Sequence, residues 1–152
     1  MIFPLRKAWA DLVQPMVQRP KKVQVAALCY RETGADKEVL LVTSRDTRRW
    51  IIPKGWPING KDSIGTALQE AWEEAGVREG LGAKTALGSY TYDKSYASGW
   101  SEKVETIVYP VAVTDMRDDF PEAEERNRKW VAPQVAANMV REPELKNILN
   151  QF

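Results

Sequence analysis

The sequence contains no histidine and only one cysteine, Cys29, among its 152 residues. Without histidine, neither a Ser-His-Asp nor a Cys-His mechanism can be built, and zinc sites with imidazole ligands are excluded. A single cysteine forms no intrachain disulfide, and its place in an apolar run indicates a small core residue. If the chain is an enzyme, its acid–base chemistry therefore falls to carboxylates, lysines, tyrosines or a hard metal ion.

Net charge and long apolar runs are also lacking. The 22 Lys and Arg residues face 21 Asp and Glu residues, which leaves a net charge of +1. Nucleic acid is therefore disfavoured as a partner, and any anion must be bound by local clusters of cations. No segment reaches the roughly eighteen apolar residues of a membrane span, and no signal-peptide pattern is present. We expect a cytoplasmic protein without a membrane partner, either monomeric or homodimeric.

The length fits one domain, which we place at residues 23–152 after an N-terminal arm at residues 1–22. Apolar and alternating runs bounded by turn residues predict strands at residues 23–31, 38–44, 50–53, 87–94, 103–114 and 129–131. Two short helices are predicted at residues 133–140 and 142–149. This order predicts an α/β (α+β) domain with a mixed sheet flanked by helices.

A longer helix is predicted to begin at Asp62 or Ser63 and to end at Ala75, before Gly76. It follows a loop at residues 54–61 that is rich in glycine and proline. One stripe of the helix is apolar and is predicted to pack on the sheet; it consists of Ile64, Leu68, Ala71 and Ala75.

Glu70, Glu73 and Glu74 recur in this helix at a spacing that makes them neighbours on its surface. Like charges at that spacing repel, so helix stability gives no reason to gather them. A hard divalent cation gives a reason, because Mg2+ takes carboxylate oxygens and bridges to substrate phosphates. The position of the three glutamates away from the apolar stripe predicts that they face a cleft or solvent.

The glutamates and the flanking glycines resemble the Nudix box. That signature reads glycine, five residues, glutamate, seven residues, then Arg-Glu-apolar-any-Glu-Glu-any-Gly-apolar. The preceding run WIIPKG is similar to the usual entry into the box, and the resemblance covers residues 23–131. The matching box positions are Gly55, Glu70, Ala71, Glu73, Glu74, Gly76 and Val77.

The resemblance implies a Nudix-like α/β/α sandwich with a central mixed sheet, and a hydrolase that cleaves a diphosphate linkage with Mg2+, or alternatively Mn2+. It implies that Glu70, Glu73 and Glu74 are both the catalytic residues and metal ligands, with the Gly55 carbonyl as a further ligand. Water would attack a phosphorus atom, and one of the glutamates would also accept its proton.

Two box positions depart from the pattern, because Lys61 replaces the first glutamate and Gln69 replaces the arginine. One interpretation is a rewired support around an intact set of three glutamates. The alternative is a weakened or silent protein that senses phosphate ligands with the same pocket. An RNA-end pyrophosphohydrolase is a third reading, against which the near-zero net charge argues.

Several runs, including SRD at residues 44–46, PKGW at residues 53–56 and RNRKW at residues 126–130, look like the branch that hydrolyses diphosphoinositol polyphosphates and diadenosine polyphosphates. The implied partner is a small phosphorylated substrate of one of these two kinds. Phosphates require cations, and the positions around the box favour Arg45, Arg49 and Lys54 as substrate ligands. Lys94 and Lys103, which bracket a predicted loop at residues 96–101, are predicted as two more.

Two further features are weighed against ordinary roles. Glu124 or Glu125 could supply another carboxylate to the site, but a charged surface loop is the favoured interpretation. Trp56 and Trp100 lie in predicted loops and could stack on a substrate, but packing is favoured for both.

Overall fold

The computed structural model describes residues 22–152, so the predicted arm lies outside the described residues except for Lys22, where the first strand begins. The described strands are β1 (Lys22–Thr33), β2 (Asp36–Thr43), β3 (Trp50–Ile51), β4 (Lys54–Gly55), β5 (Val77–Gly82), β6 (Gly88–Ser95), β7 (Ser101–Met116) and β8 (Arg128–Val131). The described helices are α1 (Ser63–Ala75), α2 (Pro133–Met139) and α3 (Pro143–Gln151).

The strands form one mixed sheet in the order β3-β2-β1-β7-β5. β1 runs parallel to β7 and antiparallel to β2, and every other strand pair is antiparallel. Away from the main path, β4 pairs with β1, β6 with β7 and β8 with β2. β1 therefore lies at the centre of the sheet, and its pairing with β4 fixes the start of the box beside it.

Both faces of the sheet are covered, which explains the nearly continuous apolar runs of β1 and β2. Ala26 and Leu28 of β1 pack on the side of α2 and α3, whereas Val25 and Ala27 pack on the side of α1. Successive side chains of a strand point to opposite faces, so one apolar strand serves both layers. The predicted α/β/α sandwich is confirmed.

Helix α1 begins and ends where the sequence predicts. The Asp62 carboxylate accepts a hydrogen bond from the Gly65 N–H at 2.7 Å and caps the first turn. Gly76 ends the helix with φ of 74°, a left-handed conformation that favours glycine. The buried stripe of α1 includes Ala67, Ala71 and Ala75, which pack on the sheet.

Two parts of the prediction differ from the structure. The sequence analysis assigns no strand to β5, because VREGLG is charged and rich in glycine, but β7 supplies a ready edge for it to pair with. The predicted loop at residues 54–61 begins instead with the short strand β4 (Lys54–Gly55), which pairs with β1. None of the helices within residues 22–152 combines the length and apolar character that crossing a bilayer requires.

Candidate active site

A cleft of about 730 Å3 opens between the exposed side of α1, the β3–β4 segment, the end of β6 and the loop before β8. Its ionisable lining separates into two groups of opposite charge. The carboxylates of this cleft are Glu70, Glu73, Glu74, Glu122, Asp46 and Asp93. Its cations are Arg45, Arg49, Lys54, Lys94, Arg126 and Arg141.

Gly55 of β4 and Glu70 of α1 are in direct contact. A Cβ atom on Gly55 would lie 2.9 Å from Glu70 Oε2 and closer still to Oε1 and Cδ, so only glycine leaves room for this carboxylate. β4 is held in place because Gly55 pairs with Val25 of the central strand. Two predicted ligands that lie 15 positions apart in the sequence are thus brought together.

Glu73 and Glu74 are tied to different partners. The Gln69 side-chain amide donates to Glu73 Oε1 at 3.1 Å. Glu74 Oε2 accepts the Lys54 backbone N–H at 3.0 Å, and Glu74 Oε1 lies 3.2 Å from Arg126 Nη2. All three glutamates line the cleft, as predicted, although Glu74 is only 7% exposed.

Glu122 and the role of Arg126 are missed by the sequence analysis. Arg126 is buried, and its Nη2 lies 2.7 Å from Glu122 Oε1, so one guanidinium contacts carboxylates from two elements. The Glu122 N–H also donates to the Glu73 carbonyl at 3.0 Å, which fixes the loop to α1. The spacing of four residues between Glu122 and Arg126 is the one signal in the sequence that could have indicated this pair.

The ionisation of the site reflects both burial and crowding of like charge. The pKa of Glu70 is raised to about 8, mainly by burial and in addition by the neighbouring Glu74, Glu73 and Glu122 carboxylates. Burial also raises the pKa of Glu74 to about 7, against the opposing effect of Arg126 and Lys54. Burial lowers the pKa of Lys54 to about 8, although Glu74 opposes this change. The raised pKa of Glu70 means that nearby cations only partly offset the cost of its ionised form.

Four of the five predicted phosphate ligands line the cleft. Arg45 lies 3.7 Å from Glu122 and 3.6 Å from Glu125, and Arg49 donates to both oxygens of Glu142 at 3.2 and 3.0 Å. Lys54 Nζ lies 4.9 Å from the centroid of the Tyr92 ring, and Lys94 also lines the cleft.

Lys103 is the exception. Its side chain is 79% exposed on β7 and lies 3.5 Å from Asp93, its cross-strand partner, outside the cleft lining.

The two tryptophans and the two loop glutamates considered in the sequence analysis differ in whether they line the cleft. Trp56 lines the cleft and is 39% exposed, whereas Trp100 stacks on Tyr96 with ring centroids 5.3 Å apart and lies outside the cleft lining. Glu124 and Glu125 are exposed, as the favoured surface-loop interpretation predicts, and Glu122 is the carboxylate of this loop that lines the cleft.

Metal-binding chemistry is available in this cleft, although no group of three or more potential ligands within residues 22–152 converges into a ready cage. Glu73 and Glu74 are each bound to protein partners, Glu73 to Gln69 and Glu74 to Lys54 and Arg126. The donor set is nonetheless made of oxygens alone, which suits Mg2+ or Mn2+ and not softer ions. The ionised form of Glu70, beside Gly55, is disfavoured by its surroundings, and a bound cation would favour that form. The residues therefore fit a hard divalent ion.

Comparisons with known proteins place this arrangement in context. The family model of the NUDIX domain matches residues 20–152. The chain is 31% identical over 111 residues to human diphosphoinositol polyphosphate phosphohydrolase 3-beta, and the match covers 72% of this chain and 63% of that protein. The chain thus spans less than two thirds of the length of this curated relative.

Solved structures match the fold at low sequence identity. The crystal structure of the Caenorhabditis elegans Ap4A hydrolase aligns with a TM-score of 0.61 at 21% identity, covering 88% of this chain and 96% of that one. The NUDIX domain of Shewanella oneidensis NrtR, solved with ADP ribose, aligns with a TM-score of 0.64 at 17% identity, covering 95% and 94%.

Proposed function

We propose that this chain, which belongs to the NUDIX domain family, is a Mg2+-dependent hydrolase that cleaves the diphosphate linkage of a small, highly phosphorylated substrate. The observation that carries the proposal is the cleft in which Glu70 packs on Gly55 and lies among Glu73, Glu74 and Glu122, with four of the predicted phosphate-binding cations on the same lining. Its volume of about 730 Å3 lies in the ordinary range for small-molecule sites.

In this mechanism, the oxygen of a water molecule attacks one phosphorus of the diphosphate, and the bridging oxygen leaves with its electron pair. A bound Mg2+ would supply charge neutralisation of the phosphates and a lowered pKa for the attacking water. Glu70, Glu73 and Glu74, with the Gly55 carbonyl, would hold the ion, and Glu122 extends this set of oxygens. One glutamate would also accept the proton of the water, and both products would end in phosphate.

The substrate phosphates would be bound by Arg45, Arg49, Lys54 and Lys94. Arginine offers a planar fork of donors to phosphate, and lysine offers a mobile point charge. Since the human relative is named a diphosphoinositol polyphosphate phosphohydrolase and one structural neighbour an Ap4A hydrolase, we propose these two substrate classes. A cytoplasmic location and a monomeric or homodimeric state remain predictions of the sequence.

A substrate panel tests the function. Purified protein is incubated with Mg2+ or Mn2+ and with a diphosphoinositol polyphosphate, diadenosine tetraphosphate or ADP ribose, and product is followed by chromatography. We expect Glu73→Gln and Glu74→Gln to lose ~100-fold or more in kcat, because charge stabilisation dominates phosphoryl transfer. Glu79→Gln, the same change at an exposed residue of β5 outside the cleft, should keep full activity. Full rates for both cleft variants would refute the metal assignment.

The departures at Lys61 and Gln69 set up a second experiment. The hydrogen bond from Gln69 to Glu73 supports a rewired site over a silent one. We therefore expect the wild type to be active and the double variant Lys61→Glu/Gln69→Arg to change kcat by less than about tenfold. An inactive wild type that the double variant revives, or tight ligand binding without turnover, would support the phosphate sensor instead.

A further inference from the structure

The glutamate face of α1 needs a cation that the box itself does not supply. Position 69 carries a neutral glutamine, whose amide contacts Glu73 alone at 3.1 Å. The Lys54 ammonium lies against the Tyr92 ring, and it is the Lys54 backbone N–H that contacts Glu74. Arg45 is 59% exposed, and its contacts are with Glu122 and Glu125 at 3.7 and 3.6 Å, too long for strong hydrogen bonds.

Arg126 meets that need from the loop before β8. Its side chain is 5% exposed, and its Nη2 lies 3.2 Å from Glu74 Oε1 and 2.7 Å from Glu122 Oε1. Its Nε donates to Glu122 at 3.2 Å, and its Nη1 donates to the Thr43 carbonyl at 3.0 Å. All three guanidinium nitrogens are thus engaged, so the plane of the group is fixed.

The backbone next to Arg126 is fixed as firmly as its side chain. Thr43 donates its N–H to the Asn127 carbonyl at 3.0 Å, and the Asn127 N–H donates to the Thr43 hydroxyl at 2.9 Å. These bonds join the loop to the end of β2. The guanidinium therefore has a fixed position between α1 and the loop. A fixed position is what a group needs if it is to orient neighbouring carboxylates.

We propose that Arg126 is the positioning residue of this site: it holds Glu74 of α1 and Glu122 of the loop in the arrangement that receives the divalent ion, in place of an arginine at position 69. This inference rests on the function proposed above. A lysine could not replace it, because a single ammonium lacks the planar set of donors that reaches Glu74, Glu122 and the Thr43 carbonyl at once.

The affinity for Mn2+ distinguishes a positioning role of Arg126 from a purely electrostatic role. Arg126 carries a positive charge beside a cation site, so a purely electrostatic role predicts that Arg126→Gln binds Mn2+ more tightly. Positioning predicts the opposite sign, a loss of ~10–100-fold, as is typical when a partner that orients a metal ligand is removed. Mn2+ binding is measured on metal-free protein by electron paramagnetic resonance, after circular dichroism has shown that each variant is folded.

Arg126→Lys keeps the charge, and we expect it to lose at least ~10-fold in Mn2+ affinity as well. In a Glu122→Gln background the effect of Arg126→Gln should shrink, because the two side chains act as one unit. Arg128→Gln is the matched control: Arg128 lies two residues on and contacts Asp118 at 2.7 Å and the Ala75 carbonyl at 3.0 Å, but no carboxylate of the cleft. It should keep wild-type Mn2+ affinity.

Turnover supplies the second readout. A positioning role lowers kcat with little change in KM in both Arg126 variants. Unchanged or tighter Mn2+ binding by Arg126→Gln, wild-type behaviour of Arg126→Lys, or equal losses in both backgrounds would each overturn the inference. The two proposals fail separately, since a wild type that binds Mn2+ but hydrolyses no substrate refutes the proposed function and leaves the Mn2+ test of Arg126 valid. A wild type that binds no Mn2+ refutes both.

Discussion

The contact between Gly55 and Glu70 yields the sharpest prediction for this protein. Gly55 is not among the glycines with positive φ, so the backbone of Gly55→Ala is unstrained. The three atoms nearest to the new methyl group all belong to the Glu70 carboxylate. The substitution is therefore a way to displace one proposed ligand without changing any carboxylate.

The structure sets the expected magnitudes. The atoms that collide are the end of a flexible side chain, so Glu70 can rotate away at a cost of about 0.5–1.5 kcal/mol. The lower chain entropy of alanine in the unfolded state offsets about 0.4–1 kcal/mol of this cost. We therefore expect a change in the free energy of unfolding of less than about 1 kcal/mol. Mn2+ affinity, in contrast, should fall ~10–100-fold because a ligand is out of position.

Gly80→Ala is the matched control. A Cβ atom on Gly80 would lie 2.7 Å from Val111 Cγ1 and 3.2 Å from the Ala112 carbonyl, which are core and backbone atoms that cannot move away easily. Overpacking of this kind costs about 1–3 kcal/mol. The two variants should thus separate: urea unfolding detects Gly80→Ala, and Mn2+ titration detects Gly55→Ala.

A double-mutant cycle completes the test. If Gly55→Ala acts by displacing Glu70, it should have little further effect on Mn2+ affinity in a Glu70→Ala background. Wild-type Mn2+ affinity of Gly55→Ala, or an undiminished effect in the Glu70→Ala background, would refute the reasoning.

Three further predictions follow from the same structure. Mg2+ at 100 times its Kd should raise the free energy of unfolding by ~2.7 kcal/mol. Chelation should reverse this effect, and Glu73→Gln or Glu74→Gln should abolish it. A melting temperature that does not change with Mg2+ would exclude the site. Glu142→Gln removes the buried carboxylate that pairs with Arg49, so a phosphate-rich ligand should bind several-fold tighter in calorimetry. The free energy of unfolding should fall by ~1–3 kcal/mol, because a buried ion pair is lost. Weaker ligand binding would contradict this prediction. Burial raises the pKa of Cys29 to about 12, so a thiol reagent at pH 8 should label only unfolded protein. Above about pH 9 the unfolded thiol loses a proton that the folded thiol keeps. The free energy of unfolding should therefore fall as the pH rises above about 9.

The sequence predicts those features of the fold that depend on neighbours along the chain. The caps at Asp62 and Gly76 and the apolar runs of β1 and β2 are local patterns, and each is found where it is predicted. β5 is missed because its stability comes from pairing with β7, which local propensity does not reveal. Contact between Gly55 and Glu70 agrees with the box resemblance, but it is the pairing of β4 with β1 that produces it.

The side-chain partners of the site are harder to predict because they come from distant parts of the chain. Arg49 and Arg45 have the composition and position of phosphate ligands, and both line the cleft. The sequence does not indicate that Glu142, 93 residues away, already accepts both hydrogen bonds from Arg49. A substrate phosphate must compete with this carboxylate, so a count of cations overstates the free positive charge of the cleft.

The same consideration bears on the glutamine at position 69. Judged along the chain, the loss of an arginine from the box leaves a weakened site open as the alternative to a rewired one. In the folded protein a guanidinium still reaches Glu74, because Arg126 lies 3.2 Å from it although the two residues are 52 positions apart in sequence. A carboxylate responds to the charge and geometry around it and not to the motif position from which a partner comes. The departure at position 69 is therefore weak evidence for inactivity, and the Arg126 variants test the compensation directly.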